Sequence, residues 1–171
     1  MSRQTRRLLA GTGATLAIMA GAYFTQPASA AQHSADLAVS ATVTANCLVQ
    51  AGTIDFGNYD PVAANDTTPL DATGSFQVRC TRGGSAVLKL DQGNHASGGT
   101  RRMSDGTEFL NYNLYTNGSY TTVWDDATNT VSYGPAASNA FTAIDVFGRI
   151  PAGQDVQAGD YSDTVTVTAE F

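Results

Sequence analysis

Two cysteines, Cys47 and Cys80, are the most reactive side chains in this sequence. A catalytic thiol needs a neighbouring base. Beyond the N-terminal stretch the chain offers only His33 and His95, the latter in a Gly/Ser-rich region. Glycoside hydrolysis needs two positioned carboxylates. The acids here are nearly all aspartates in turn-rich stretches, and Asp125 and Asp126 point to opposite sides of an extended chain. Asp91-Gln92-Gly93-Asn94 lacks the further oxygens and closing Glu of a calcium loop and reads as a turn. Arg101 and Arg102, adjacent in an extended segment, face opposite ways and are expected to pair with Asp or Glu. Trp124 and the tyrosines offer a carbohydrate surface, although Tyr112 lies on an apolar face that suits core packing. No G-x-S-x-G, H-E-x-x-H or phosphate-binding glycine loop occurs. The expectation is a protein that is not an enzyme, with no metal and no cofactor.

The compartment decides what the cysteines do. Residues 1–30 read as a secretory signal: Arg3, Arg6 and Arg7 precede an apolar stretch, and Ala28-Ser29-Ala30 gives a small-residue cleavage site. A twin arginine, Arg6-Arg7, faintly suggests the route for folded cargo, but the ordinary signal is the better reading. The apolar run is short and interrupted for a spanning helix, and no membrane span is expected in the mature chain. In an exported protein an even cysteine count favours a disulfide, Cys47 to Cys80. Losing three of nine basic residues with the signal leaves six against fifteen acidic ones, a net charge of −9. Such a surface is unsuited to nucleic acid or anionic lipid.

The mature chain alternates short β-rich runs with Gly, Asn, Asp and Ser clusters, the pattern of an all-β sandwich or barrel. Residues 36–45 alternate, with Leu37, Val39, Ala41 and Val43 on one face. Further strands are expected over 53–57, 75–80, 86–90, 110–115, 121–124 and 141–150, with a short pairing around Arg101-Arg102-Met103. Residues 161–171 close the chain as a strand. On it Tyr161, Val165, Val167, Ala169 and Phe171 share a face interrupted by Asp163.

Several blocks in order carry a resemblance over the whole mature chain. They are Gly98-Gly99-Thr100-Arg101-Arg102-Met103, Leu110-Asn111-Tyr112-Asn113-Leu114-Tyr115, Thr122-Val123-Trp124, Phe147-Gly148-Arg149-Ile150-Pro151-Ala152-Gly153-Gln154, and the run from Gly159-Asp160-Tyr161 to Val167. These blocks resemble the spore coat protein U domain family, which includes subunits of archaic, Csu-type chaperone–usher pili. The resemblance implies an immunoglobulin-like β-sandwich missing its last strand. A periplasmic chaperone fills the gap first. The N-terminal extension of another subunit replaces it at an outer-membrane usher, building surface pili for adhesion and biofilm formation.

The residue pattern is consistent with that. An apolar strand edge must be managed, a free alternating segment can fill it, and a heterologous contact of that kind builds a filament. The assignment is a signal over residues 1–30, a donor extension over 31–45 and a pilin domain over 46–171. Leu37, Val39, Ala41 and Val43 are the expected donor plugs. Tyr161, Val165, Val167, Ala169 and Phe171 are expected to form the acceptor groove and chaperone contact. The expected partners are copies of the chain or sister pilins, the chaperone and the usher, with a route through the periplasm to the cell surface. Residues 36–45 could instead pair within their own domain. A secreted coat or matrix protein and a carbohydrate-binding module are the other readings of the chain.

Overall fold

The computed structural model describes residues 28–171. Most of the expected signal, residues 1–27, lies outside the described residues. The chain divides into two units, Met1–Ser40 and Ala41–Phe171. In the first, residues 28–40 form neither helix nor strand and are exposed.

The second unit is all-β, an immunoglobulin-like sandwich. Its strands are β1 (Cys47–Thr53), β2 (Leu70–Cys80), β3 (Ala86–Leu90), β4 (Arg101–Ser104), β5 (Phe109–Tyr115), β6 (Val131–Tyr133), β7 (Thr142–Ile150) and β8 (Val167–Glu170). One sheet runs β1-β2-β7-β5-β4 and the other β6-β3-β8, so β1 and β8 are edges of opposite sheets. All pairings are antiparallel.

Alternation explains which side chains meet. In β3, Ala86, Leu88 and Leu90 are buried while Val87 is exposed. Phe76, Val78 and Cys80 of β2 and Leu110, Tyr112 and Leu114 of β5 complete the inner faces. Each of the large apolar side chains contributes about 1.5–3 kcal/mol by leaving water. The Cys47–Cys80 disulfide joins residues directly opposite each other on β1 and β2.

Three expected strands are revised. Residues 36–45 form none. The second is 53–57: pairing stops at Thr53, where β1 carries a bulge between Gln50 and Thr53. Gly52 sits in that bulge, and a Cβ there would collide with the Ser75 carbonyl. Ile54 and Phe56 then pack against the core without a ladder. The third is 121–124, which makes only a single bridge, Tyr115 to Val123. The closing strand is shorter than expected: only Val167–Glu170 belongs to a ladder, and Ser162 bridges Ser104 upstream of it. The short β6 had no alternation long enough to announce it.

Trp124 is fully buried. Its indole N–H donates to the Leu88 carbonyl at 3.1 Å, and its ring tilts against Phe76. It is therefore unavailable to a carbohydrate surface. Arg101 is also fully buried, and its partners are backbone carbonyls of Leu90, Asp91 and Trp124 in place of the expected carboxylates. One cation thus ties β4 to the end of β3 and to the Trp124 turn. Burial lowers the guanidinium pKa, and Nη1 has no hydrogen-bond partner among the described residues.

Candidate donor-strand groove

An open cavity of about 620 Å³ lies between the β1 edge and the segment leading into β8. Its floor is the sandwich core: Phe76, Leu90, Tyr112, Leu114 and Val146. Val49 and Thr53 line one side, and Tyr161, Val165 and Val167 line the other. Ile54, Phe56 and Met103 also line it, although the sequence pattern had assigned them no role there. The Ile54/Phe56 alternation was visible, but the fact that these residues leave the ladder and fall into a gap was not.

The expected site residues divide. Tyr161, Val165 and Val167 are brought together along the cavity. Ala169 packs partly buried against the core opposite Leu88 in the β3–β8 ladder, and Phe171 is 63% exposed. At the other end of the sequence Leu37, Val39 and Val43 are exposed, at 87%, 85% and 82%, and Ala41 is exposed too.

The wall before β8 is held by side chains as well as by backbone bonds. Asp163 has only 1% of its side chain exposed, although it belongs to the groove-lining residues. Its carboxylate accepts from the Tyr112 hydroxyl at 2.6 Å and from the Asn94 backbone N–H at 3.0 Å, and it contacts His95 Nδ1 at 3.0 Å. Burial raises the Tyr112 phenol above its ordinary range, and the bond to Asp163 adds to this, so the hydroxyl stays a donor. One step further on, Asp91 accepts from the Thr166 N–H at 2.9 Å as well as from Gly93, which makes residues 91–94 a turn that also anchors the wall. Backbone bonds join Ser162 to Ser104 in both directions. Elsewhere, Asp125 caps its own turn by accepting from Ala127, Thr128 and Asn129. Burial pushes its carboxyl up, but those N–H groups outweigh it and hold the pKa down at about 2. No group of three or more His, Cys, Asp or Glu suited to a metal occurs among the described residues.

Fold and cavity together define an immunoglobulin-like sandwich with an apolar channel open between edge strands of its two sheets. The chain belongs to the Spore Coat Protein U domain family, which it matches over residues 33–168. It is 34% identical over 167 residues to Protein U of Myxococcus xanthus, covering 85% of this chain and 88% of that protein. Among solved structures it resembles a chain of the CsuC–CsuE chaperone–tip adhesion subunit pre-assembly complex, from archaic chaperone–usher Csu pili of Acinetobacter baumannii. That likeness has a TM-score of 0.52 and 27% identity. It covers 76% of this chain and 40% of the other, so this chain spans well under half of that relative's length.

Proposed function

We propose that this chain is a structural pilin subunit that polymerises by donor-strand exchange into surface fibres for adhesion and biofilm formation. The observation that carries the reading is the open apolar groove between β1 and the wall before β8. Leu37, Val39, Ala41 and Val43 of another copy, or of a sister pilin, are the occupants that fit it. They alternate on one face and span about 20 Å when extended. Left empty, the groove leaves Val49, Phe56, Tyr161 and Val165 only half-buried and two strand edges unpaired, which favours pairing with foreign chains. A periplasmic chaperone would hold the groove until an outer-membrane usher exchanges it for a donor segment. The likeness to a chaperone–tip subunit complex supports that route. Donor and groove are different surfaces, so the contact is heterologous and propagates as a filament.

The experiment places a photo-crosslinking amino acid at position 39, with a periplasmic chaperone and an outer-membrane usher co-expressed. The expected product is a ladder of crosslinked oligomers whose adducts map to peptides containing Val165 of a second chain. Adducts confined to one chain, or none in material that forms fibres, would refute donation.

A second reading, a secreted coat or matrix protein, is favoured by the 34% identity to Protein U, which exceeds that to the pilus structure. Assembly into fibres by the usher separates the two.

A further inference from the structure

We infer that Asp163 is the positioning residue of the groove: its carboxylate ties the C-terminal wall to β5 and to the loop after β3, and so keeps the groove open at the width a donor strand needs. The inference rests on the groove being the donor acceptor.

Asp163 occupies a place where the alternation calls for an apolar side chain. Tyr161, Val165 and Val167 share the apolar side of the closing alternation, and Asp163 stands on that side between them. A carboxylate taken from water without partners is strongly disfavoured. This one is buried and fully engaged by the Tyr112 hydroxyl, the Asn94 N–H and His95. The three partners come from two elements, β5 and the loop after β3.

The wall also carries backbone bonds to the loop after β3: the Asp91 N–H donates to the Thr166 carbonyl at 3.1 Å and the Asn94 N–H to the Thr164 carbonyl at 3.2 Å. Residues 163–166 lie outside any strand, and β8 begins only at Val167. Those bonds all run to the same loop, and among the described residues the hydrogen bond that joins residues 163–166 to the floor at β5 is the one from Tyr112 to Asp163. Gly93 is part of the device. It has φ +80°, and a Cβ there would run into the Asp163 carboxylate, so the loop closes over the acid only with glycine at this place.

The alternative is that Asp163 is a tolerated polar blemish in an apolar groove. The two ideas predict opposite effects for one substitution. Asp163→Leu removes the one charged side chain among the residues that line the cavity, at similar size. If the acid is a blemish, donor binding tightens. If it positions the wall, donor binding weakens.

The test uses the full chain exported to the periplasm and a fluorescent peptide with the sequence of residues 36–45, read by anisotropy. Thermal melting and Trp124 fluorescence are recorded on the same samples. Asp163→Leu is expected to weaken peptide binding by roughly ten- to a hundredfold, the range for losing hydrogen bonds to a charged group. Tyr112→Phe, which removes one bond and no ring volume, should weaken it by about tenfold. Asp163→Asn, which keeps an acceptor for Tyr112, should fall between wild type and Asp163→Leu. Trp124 emission should stay unchanged throughout. Wild-type binding by Asp163→Leu or tighter overturns the inference and leaves the groove as the donor site. Loss of Trp124 emission and of the melting transition in both Asp163→Asn and Tyr112→Phe also overturns it, because the cluster then belongs to the fold as a whole. A wild-type chain that takes up no peptide sinks this inference and the donor-exchange reading together.

Discussion

Replacing Val43 by Asp should abolish assembly while leaving the folded subunit intact. In the isolated chain Val43 is 82% exposed, so a carboxylate there stays in water. Exposed substitutions of this kind typically move stability by less than about 0.5 kcal/mol. In the assembled fibre the same side chain would lie over Phe76, Leu90, Leu114 and Val146, all buried in the floor of the groove. Losing the valine's burial costs about 1.5–3 kcal/mol. An unpaired carboxylate escapes its desolvation penalty by taking a proton. From an ordinary pKa near 4 that costs about 4 kcal/mol at pH 7. The two together, roughly 5–7 kcal/mol, correspond to a loss of more than about a thousandfold in donor affinity. A one-residue slip cannot rescue the donor, because it turns Ser40, Thr42 and Thr44 into the groove. Thr42→Asp, on the other face, is the control and should assemble. The assay is electron microscopy of fibres alongside recovery of the folded, chaperone-bound subunit. Normal fibres from Val43→Asp would refute the donor assignment. Loss of the folded subunit would show that residues 36–45 belong to their own sandwich.

Three further outcomes are expected. Reducing the Cys47–Cys80 bond, which closes a loop with a sequence separation of 33, should lower the free energy of unfolding by roughly 3–4 kcal/mol in denaturant titrations with and without reductant. Arg101→Leu strands three carbonyls in the interior and should destabilise the domain by about 3 kcal/mol or more, seen as a drop in melting temperature. The Asp125 carboxyl, held at about 2 in the folded state, contributes stability that is complete above its unfolded value near 3.8 and is lost as pH falls through about 2. Urea midpoints measured across that window should fall less steeply in Asp125→Ala than in wild type.

How far the sequence reaches is clearest in single residues. Leu88 and Leu90 alternate with Lys89, and the strand they announce is the one that forms, because a half-buried strand leaves that imprint directly. The same imprint at Ile54 and Phe56 misleads. Alternation records which side chains seek the interior, not whether a neighbouring strand is there to bond, and the pairing, shifted by the Gly52 bulge, ends at Thr53. Trp124 looked like a surface ring because its burial depends on the Leu88 carbonyl, which lies 36 residues away in sequence. Arg101 could be placed on a face, but its carbonyl partners lie at the end of β3 and in the Trp124 turn. Asp163 was visible as an interruption of an apolar face. What the interruption does emerges only when Tyr112 and His95 arrive beside it.

The position of the disulfide sets a route for mechanical load. A pull on residues 36–45 enters the sandwich at Cys47, the first residue of β1. As an edge strand, β1 is held through β2 alone, and a tug on its end would peel it bond by bond. The covalent tie to Cys80 hands the tension straight to β2, which is flanked by both β1 and β7 and runs against β7 from Leu70 to Val78. Force is thus carried past the edge ladder into the interior of the larger sheet. Under reducing conditions the same subunit would yield by unzipping β1, which also forms one rim of the groove.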